Sequence, residues 1–192
     1  MNNTAAQSQP QTATDADYPP EAALTAGEHN LGNTHALLSL LEYGDYECPA
    51  CIRAEAPTQR LIEVGGSRMS FSFRHFPWVT LHSHALLAAE AAEAAAAQGK
   101  FWQMHHLLFA QRHGLGMPAL TRYAKSIELD MIRFKAEMAD RVYTQRIQEH
   151  LLAGEDSGVT KTPSYFLNGH QIDVSHGFEK LEDAVHAALT TH

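Results

Sequence analysis

The feature that most constrains this chain is Cys48-Pro49-Ala50-Cys51, which holds its only two cysteines and follows closely on the apolar run Leu37 to Tyr43. A buried strand that ends at a Cys-x-x-Cys and turns at once into a helix sets the first thiol among the unpaired N–H groups of the helix start. That field favours a thiolate. Cys48 is therefore the expected nucleophile, and Cys51, one helical turn on and facing inward, the resolving thiol that expels substrate from a mixed disulfide. The spacing points to disulfide chemistry.

Composition bounds where that chemistry is housed. With 192 residues and 44% hydrophobic content the chain can bury one substantial core without disulfide staples. A formal net charge of -8 and the lack of a clustered basic face exclude a nucleic-acid surface. No stretch is long enough to span a bilayer. Residues 1–30, polar and containing Pro19-Pro20, read as a disordered or loosely docked tail, with the domain itself over 31–192. Met1 to Asp17 lacks the basic start and apolar centre of a secretory signal. On the chain as given the expected place is the cytosol, and an extracytoplasmic one if the natural N-terminus was removed.

The order of patterns is that of an α/β protein. Leu37 to Tyr43 reads as a buried strand, Pro49 to Val64 as a helix with Pro57 as a kink, and Met69 to Phe73 as a strand. Together they make a βαβ unit with a right-handed crossover. A helical insertion follows at about 82–155. Within it, residues 85–97 hold nine alanines in thirteen positions, Gly99 is a helix stop, and Leu120, Tyr123, Ala124 and Ile127 mark one buried helical face. Asp130 and Asp140 are expected N-caps. A strand at Ser164 to Leu167, a type I′ turn at Asn168-Gly169, a strand at His170 to Val174 and a helix from about Phe178 to Leu189 close the domain.

This order brings distant segments together. In a parallel βαβ unit both strands end on one sheet edge, so Cys48 lies beside His75-Phe76-Pro77. A strand antiparallel to them starts on that same edge, which delivers Pro163. His75 and Phe76 are accordingly expected to line a substrate surface with Thr162 and Pro163.

Leu41-Glu42-Tyr43-Gly44-Asp45-Tyr46-Glu47-Cys48-Pro49-Ala50-Cys51, Phe73-Arg74-His75-Phe76-Pro77, Gln98-Gly99-Lys100-Phe101-Trp102 and Gly158-Val159-Thr160-Lys161-Thr162-Pro163-Ser164-Tyr165-Phe166-Leu167-Asn168-Gly169 occur in that order. From about residue 30 to the C-terminus the chain resembles the DsbA-like branch of the thioredoxin superfamily. The resemblance implies a thioredoxin fold with an inserted α-helical subdomain and a thiol-disulfide oxidoreductase activity. It implies that Pro163 is a cis-proline opposite the dithiol, that the Thr162 backbone pairs with an extended substrate like an added strand, and that Glu42, a charge inside an apolar strand, takes the Cys51 proton through water. The implied partners are protein or small-molecule thiols and disulfides and a redox recycling partner.

No cofactor is expected and no residue is assigned to a metal. Among thirteen histidines, His82/His84 and His105/His106 are the tightest clusters, neither at the i, i+4 spacing of helical ligands. Two other classes stay open. A glutathione-dependent transferase or isomerase on the same fold would leave Cys51 dispensable. A redox or zinc binding module would use the dithiol as a sensor or ligand, with a partner docked around Phe76 and Pro163.

Strong oxidants of the family carry a histidine where this chain has Ala50. Asp45 and Glu47 add negative charge beside Cys48, and Arg53 offsets part of it. The expected couple is therefore more reducing than the strongest oxidants. Ala50→His should make it more oxidising by stabilising the thiolate, each ~30 mV corresponding to about 1.4 kcal/mol. A glutathione redox titration of both proteins reads this directly, and an unchanged or more negative potential would assign control to groups outside the motif.

Overall fold

The computed structural model describes residues 29–33, 35–110 and 113–191. Five strands form one sheet: β1 (His29–Gly32), β2 (Leu38–Gly44), β3 (Met69–His75), β4 (Ser164–Leu167) and β5 (His170–Ile172), in the order β1-β3-β2-β4-β5. The central pair, β2 and β3, is parallel from Leu38↔Met69 to Gly44↔His75. The outer pairings are antiparallel. Both central strands are covered on both faces, as parallel strands need, and all seven residues of β3 are buried.

Strand alternation divides the core in two. Leu38, Leu40, Phe71, Phe73, Tyr165 and Leu167 pack on one side with Cys51 and Leu61 of α1 (Pro49–Gly65) and Leu181, Val185 and Leu189 of α7 (Glu179–Thr191). Glu42 shares the alternation of Leu38 and Leu40 and so belongs to the α1 side. Leu41, Tyr43 and Phe166 pack on the other side with Phe76, Val159 and the partly buried Trp78 and Leu151. Burying Phe71 and Phe73 contributes about 1.5–3 kcal/mol each.

Cys48 stands at the N-cap of α1 in extended backbone, and Pro49 occupies the first helical position, where a missing N–H costs nothing. Pro57 lies inside the helix without ending it. Five helices lie between β3 and β4: α2 (Ala85–Ala96), α3 (Phe101–Ala110), α4 (Met117–Ser126), α5 (Met131–Asp140) and α6 (Thr144–Asp156). The alanines of α2 let it contact α3, α4, α5 and α6 together. Its two buried acids are partnered unequally: Glu90 accepts through Oε1 alone, from Thr144 Oγ1 at 2.6 Å and Arg141 Nε at 3.2 Å, while Glu93 meets His29, His75 and Arg146 through both oxygens.

Several sequence expectations change. His29 and Asn30, assigned to the tail, are strand residues paired with Phe73 and Ser72; residues 1–28 lie outside the described residues. Leu37 is exposed and β2 starts one residue later. Asp130 does cap α5, accepting from Ile132 N and Arg133 N. Asp140 caps nothing: it is the last residue of α5, which the left-handed Arg141 (φ 52°) terminates, and α6 starts after Tyr143. At the hairpin, Asn168 (φ 47°) and Gly169 (φ 79°) give the two positive φ values of a type I′ turn. Asn168 also accepts from Ser39 N at 2.7 Å, which ties the turn to β2.

Gly154 seats α6 against the sheet. A Cβ there would stand 2.7 Å and 2.8 Å from the Phe76 ring and 3.0 Å from Tyr43. Gly154→Val should destabilise the protein by about 1–3 kcal/mol through overpacking, read as a lower urea midpoint at unchanged slope. A neutral result would mean that α6 does not rest on these rings.

Candidate active site

The dithiol sits where the parallel pair ends. Both thiols are free, and they differ sharply in surroundings: Cys48 keeps 8% of its surface exposed and Cys51 none. Both are buried, the first thiol less completely than the second. The Cys48 thiol donates to Thr162 O at 3.5 Å, and the Thr162–Pro163 peptide bond is cis. Thr162 and Pro163 therefore adjoin the first cysteine across 114 residues of chain.

The two sulfurs are polarised in opposite senses. The hydrogen bond from Cys51 is the largest influence on Cys48 and brings its thiol down to about 5, against desolvation and together with Thr162 and the backbone N–H groups of Cys51 and Ala50. Burial pushes the Cys51 thiol well up, reinforced by its bond to Cys48 and by the Glu42 charge. One sulfur is thus a thiolate near neutrality and the other keeps its proton.

Glu42 is 2% exposed. Burial, followed by the Glu55 charge, raises its carboxyl to about 8 even though Tyr165 hydrogen-bonds it. Thr58 Oγ1 lies 2.7 Å from Tyr165 Oη, so a hydroxyl pair from α1 and β4 orients the acid. Neither Thr58 nor Tyr165 is marked by a local pattern. The register Glu42↔Tyr165 could have indicated the second, since a buried acid needs a donor opposite it.

Asp45 and Glu47 act differently from the expectation. Asp45 is buried and accepts from Glu47 N at 2.8 Å, Trp78 N at 2.9 Å and His82 Nδ1 at 2.7 Å. Desolvation is the largest influence on His82 and opposes its charge, but the bond and charge of Asp45 together with the Cys48 and Glu47 charges outweigh it, so that the imidazole is raised. Glu47 accepts from His84 N at 2.6 Å and lies 3.2 Å from His84 Nδ1. Each acid that was to repel the thiolate carries a histidine partner from the loop after β3.

His75 and Phe76, expected to line a substrate surface, reach the expected sheet edge but turn their side chains into the protein. Both are buried. His75 Nε2 meets Glu93 Oε1 at 3.0 Å, and its backbone N–H donates to His150. Phe76 packs edge-on to Tyr43 and Trp78. Strand ends that share an edge need not expose their side chains, and here α2 and α6 cover them. The open surface next to the dithiol is instead a cavity of about 440 Å³ lined by Ala50, Arg53, Lys161, Thr162, Pro163 and Phe178 among others.

The family model described as Thioredoxin matches residues 24–187. The chain belongs to the thioredoxin family. Its fold is that of the DsbA-like branch. A thioredoxin-like oxidoreductase from Silicibacter pomeroyi superposes with a TM-score of 0.74 at 26% identity, over 93% of this chain and 99% of that one. Oxidised BdbD from Bacillus subtilis gives 0.76 at 20% identity, over 85% and 94%. Among curated proteins, the Na(+)/H(+) antiporter NhaA 3 of Salinispora tropica is 40% identical over 164 residues, which are 85% of this chain and 25% of that protein. The chain spans about a quarter of the length of the curated relatives it matches. Among the described residues, no helix is long and apolar enough to cross a membrane.

Alkylation of the reduced protein by iodoacetamide should label Cys48 first. Its rate should be half-maximal near pH 5, falling as the thiolate is protonated below that value and flat above it. A rate that keeps climbing to pH 9, or equal labelling of Cys51, would overturn the assignment of the two thiols.

Proposed function

We propose that this thioredoxin-family chain is a thiol-disulfide oxidoreductase acting on protein or small-molecule thiols and disulfides, with Cys48 as nucleophile and Cys51 as resolving thiol. The observation that carries the reading is the Cys48 sulfur, acidic and at a helix start, 3.5 Å from the Thr162 carbonyl. An extended substrate lying along Thr162 and Pro163 brings its own disulfide into line with that sulfur.

In the reductive direction the Cys48 thiolate attacks one substrate sulfur and the other leaves as a thiolate. Glu42 takes the proton of Cys51, whose sulfur then attacks Cys48 and releases the second substrate thiolate. Two electrons pass to the substrate, and the Cys48–Cys51 disulfide remains for a recycling partner to reduce. The reverse sequence oxidises a substrate dithiol. The redox poise of the compartment sets the direction, toward reduction in a cytosol and toward oxidation outside it. A carboxyl at about 8 suits the proton transfer because it is close to the working pH in both steps.

Insulin reduction driven by dithiothreitol tests this. Wild type should accelerate it, Cys48→Ser should abolish the acceleration, and Cys51→Ser should accumulate a mixed disulfide through Cys48. Glu42→Gln should slow resolution on the order of 10²-fold, the scale of a lost general base, while leaving Cys48 alkylation intact. Full turnover by Cys51→Ser would replace this reading with a monothiol transferase, and activity in Cys48→Ser would remove the nucleophile.

A further inference from the structure

One turn of α1 beyond Cys51, Glu55 meets two consecutive histidines of α3. His105 Nε2 lies 3.6 Å from Glu55 Oε2, and His106 Nδ1 lies 3.2 Å from Glu55 Oε1. One ligand atom from each of the three falls within 4.8 Å of the others. Neighbouring residues of a helix project about 100° apart, so two such rings do not ordinarily share a partner. These two, with centroids 5.5 Å apart and planes at 80°, converge on one carboxylate.

His106 Nδ1 is within hydrogen-bond reach of the carboxylate, whereas His105 Nε2 faces it from beyond that reach. Two ligands bonded at about 2.0–2.1 Å to one tetrahedral zinc stand roughly 3.4 Å apart, which lies between the two separations. His105 is 1% exposed, and its Nε2 has no hydrogen-bond partner although it faces the carboxylate. Leaving such an atom unsatisfied in a dry interior is unfavourable, and a cation would satisfy it. The other cluster of this kind, His29, His75 and Glu93, is different: both rings bond a single oxygen at 2.7 Å and 3.0 Å, and Arg146 sits 3.1 Å from the second oxygen. There the carboxylate is already neutralised.

We propose that Glu55, His105 and His106 form a binding site for a divalent d-block cation of the zinc type. Two imidazole nitrogens and one carboxylate oxygen are the donor set such an ion takes, and the 48% exposed His106 leaves the remaining position to solvent. The outer supports are in place. Tyr46 Oη lies 3.0 Å from His105 Nδ1, a bond that fixes the ring with Nε2 as the ligand atom, and Gln59 Nε2 donates to Glu55 Oε1 at 3.2 Å. The site uses neither dithiol sulfur, and the proposal does not depend on the redox reading.

Thiols would compete for zinc, so the test uses an untagged Cys48→Ser/Cys51→Ser chain titrated with Zn²⁺ in a calorimeter and with Co²⁺ in a spectrophotometer. One equivalent of each should bind, Co²⁺ developing the intense visible bands of tetrahedral coordination. Glu55→Gln and His106→Ala, each added to that chain, should weaken Zn²⁺ binding by at least about 10-fold and remove those bands. His106 is half exposed, so its loss leaves the fold standing, which circular dichroism checks. Absence of saturable binding, or binding that survives both substitutions, overturns the proposal.

Discussion

The parallel pairing of β2 with β3 is the constraint on which the rest depends. Its register, Leu38↔Met69 through Gly44↔His75, makes two chain segments leave the sheet at the same level. The first enters the dithiol helix and the second enters the loop that carries His82 and His84. Because β4 pairs antiparallel to β2, Thr162 and Pro163 arrive at that level from the opposite direction. Slipping this register by one residue would turn Glu42 from the α1 side of the sheet to the other and bring Leu41 under the thiols. Hydrophobic burial of both faces holds the register, and the chemistry inherits its precision from that.

The electrostatic arrangement is an asymmetry built over three residues. Cys48 and Cys51 are the same side chain, yet one lies in the field of a helix start beside donors and the other in a dry interior next to an acid. Neither sulfur alone would suffice. In the proposed exchange the first needs a charge to attack, and the second needs its proton until the mixed disulfide has formed. There Glu42 would couple the two demands, since the burial that raises its carboxyl also deprives Cys51 of water.

Much of the fold could be read from local pattern, and what was missed is consistently non-local. The apolar run to Tyr43, the Cys-Pro-Ala-Cys turn and Asn168-Gly169 are legible because their cause lies within a few residues. β1 was not. His-Asn-Leu-Gly has no alternation to see, and it is a strand because Phe71, Ser72 and Phe73 pair with it and Glu93 binds His29. Asp140 has the chemistry of a cap but is overruled by the left-handed turn at Arg141. Of the site, the cysteines and Glu42 were visible, whereas Thr58 and Tyr165 enter only through the register. His75 and Phe76 were placed on the correct edge, and the helices above them decide that they are buried. The two acids, Asp45 and Glu47, and the two histidines, His82 and His84, share an i, i+2 spacing on adjacent loops, a sequence signal for the pairing that the structure shows.

That matched spacing has an evolutionary consequence. Asp45 grips Trp78 N and His82, and Glu47 grips His84, so the loop after β3 is held to the dithiol turn at fixed intervals. An insertion or deletion between Trp78 and His84 would throw these grips out of phase and uncover a buried aspartate. This wall of the site is therefore closed to change in length. Related chains that diverge in what they bind have part of the opposite wall to vary, Val174, Ser175, Gly177 and Phe178, which border the cavity beyond the Thr162 carbonyl that Cys48 bonds.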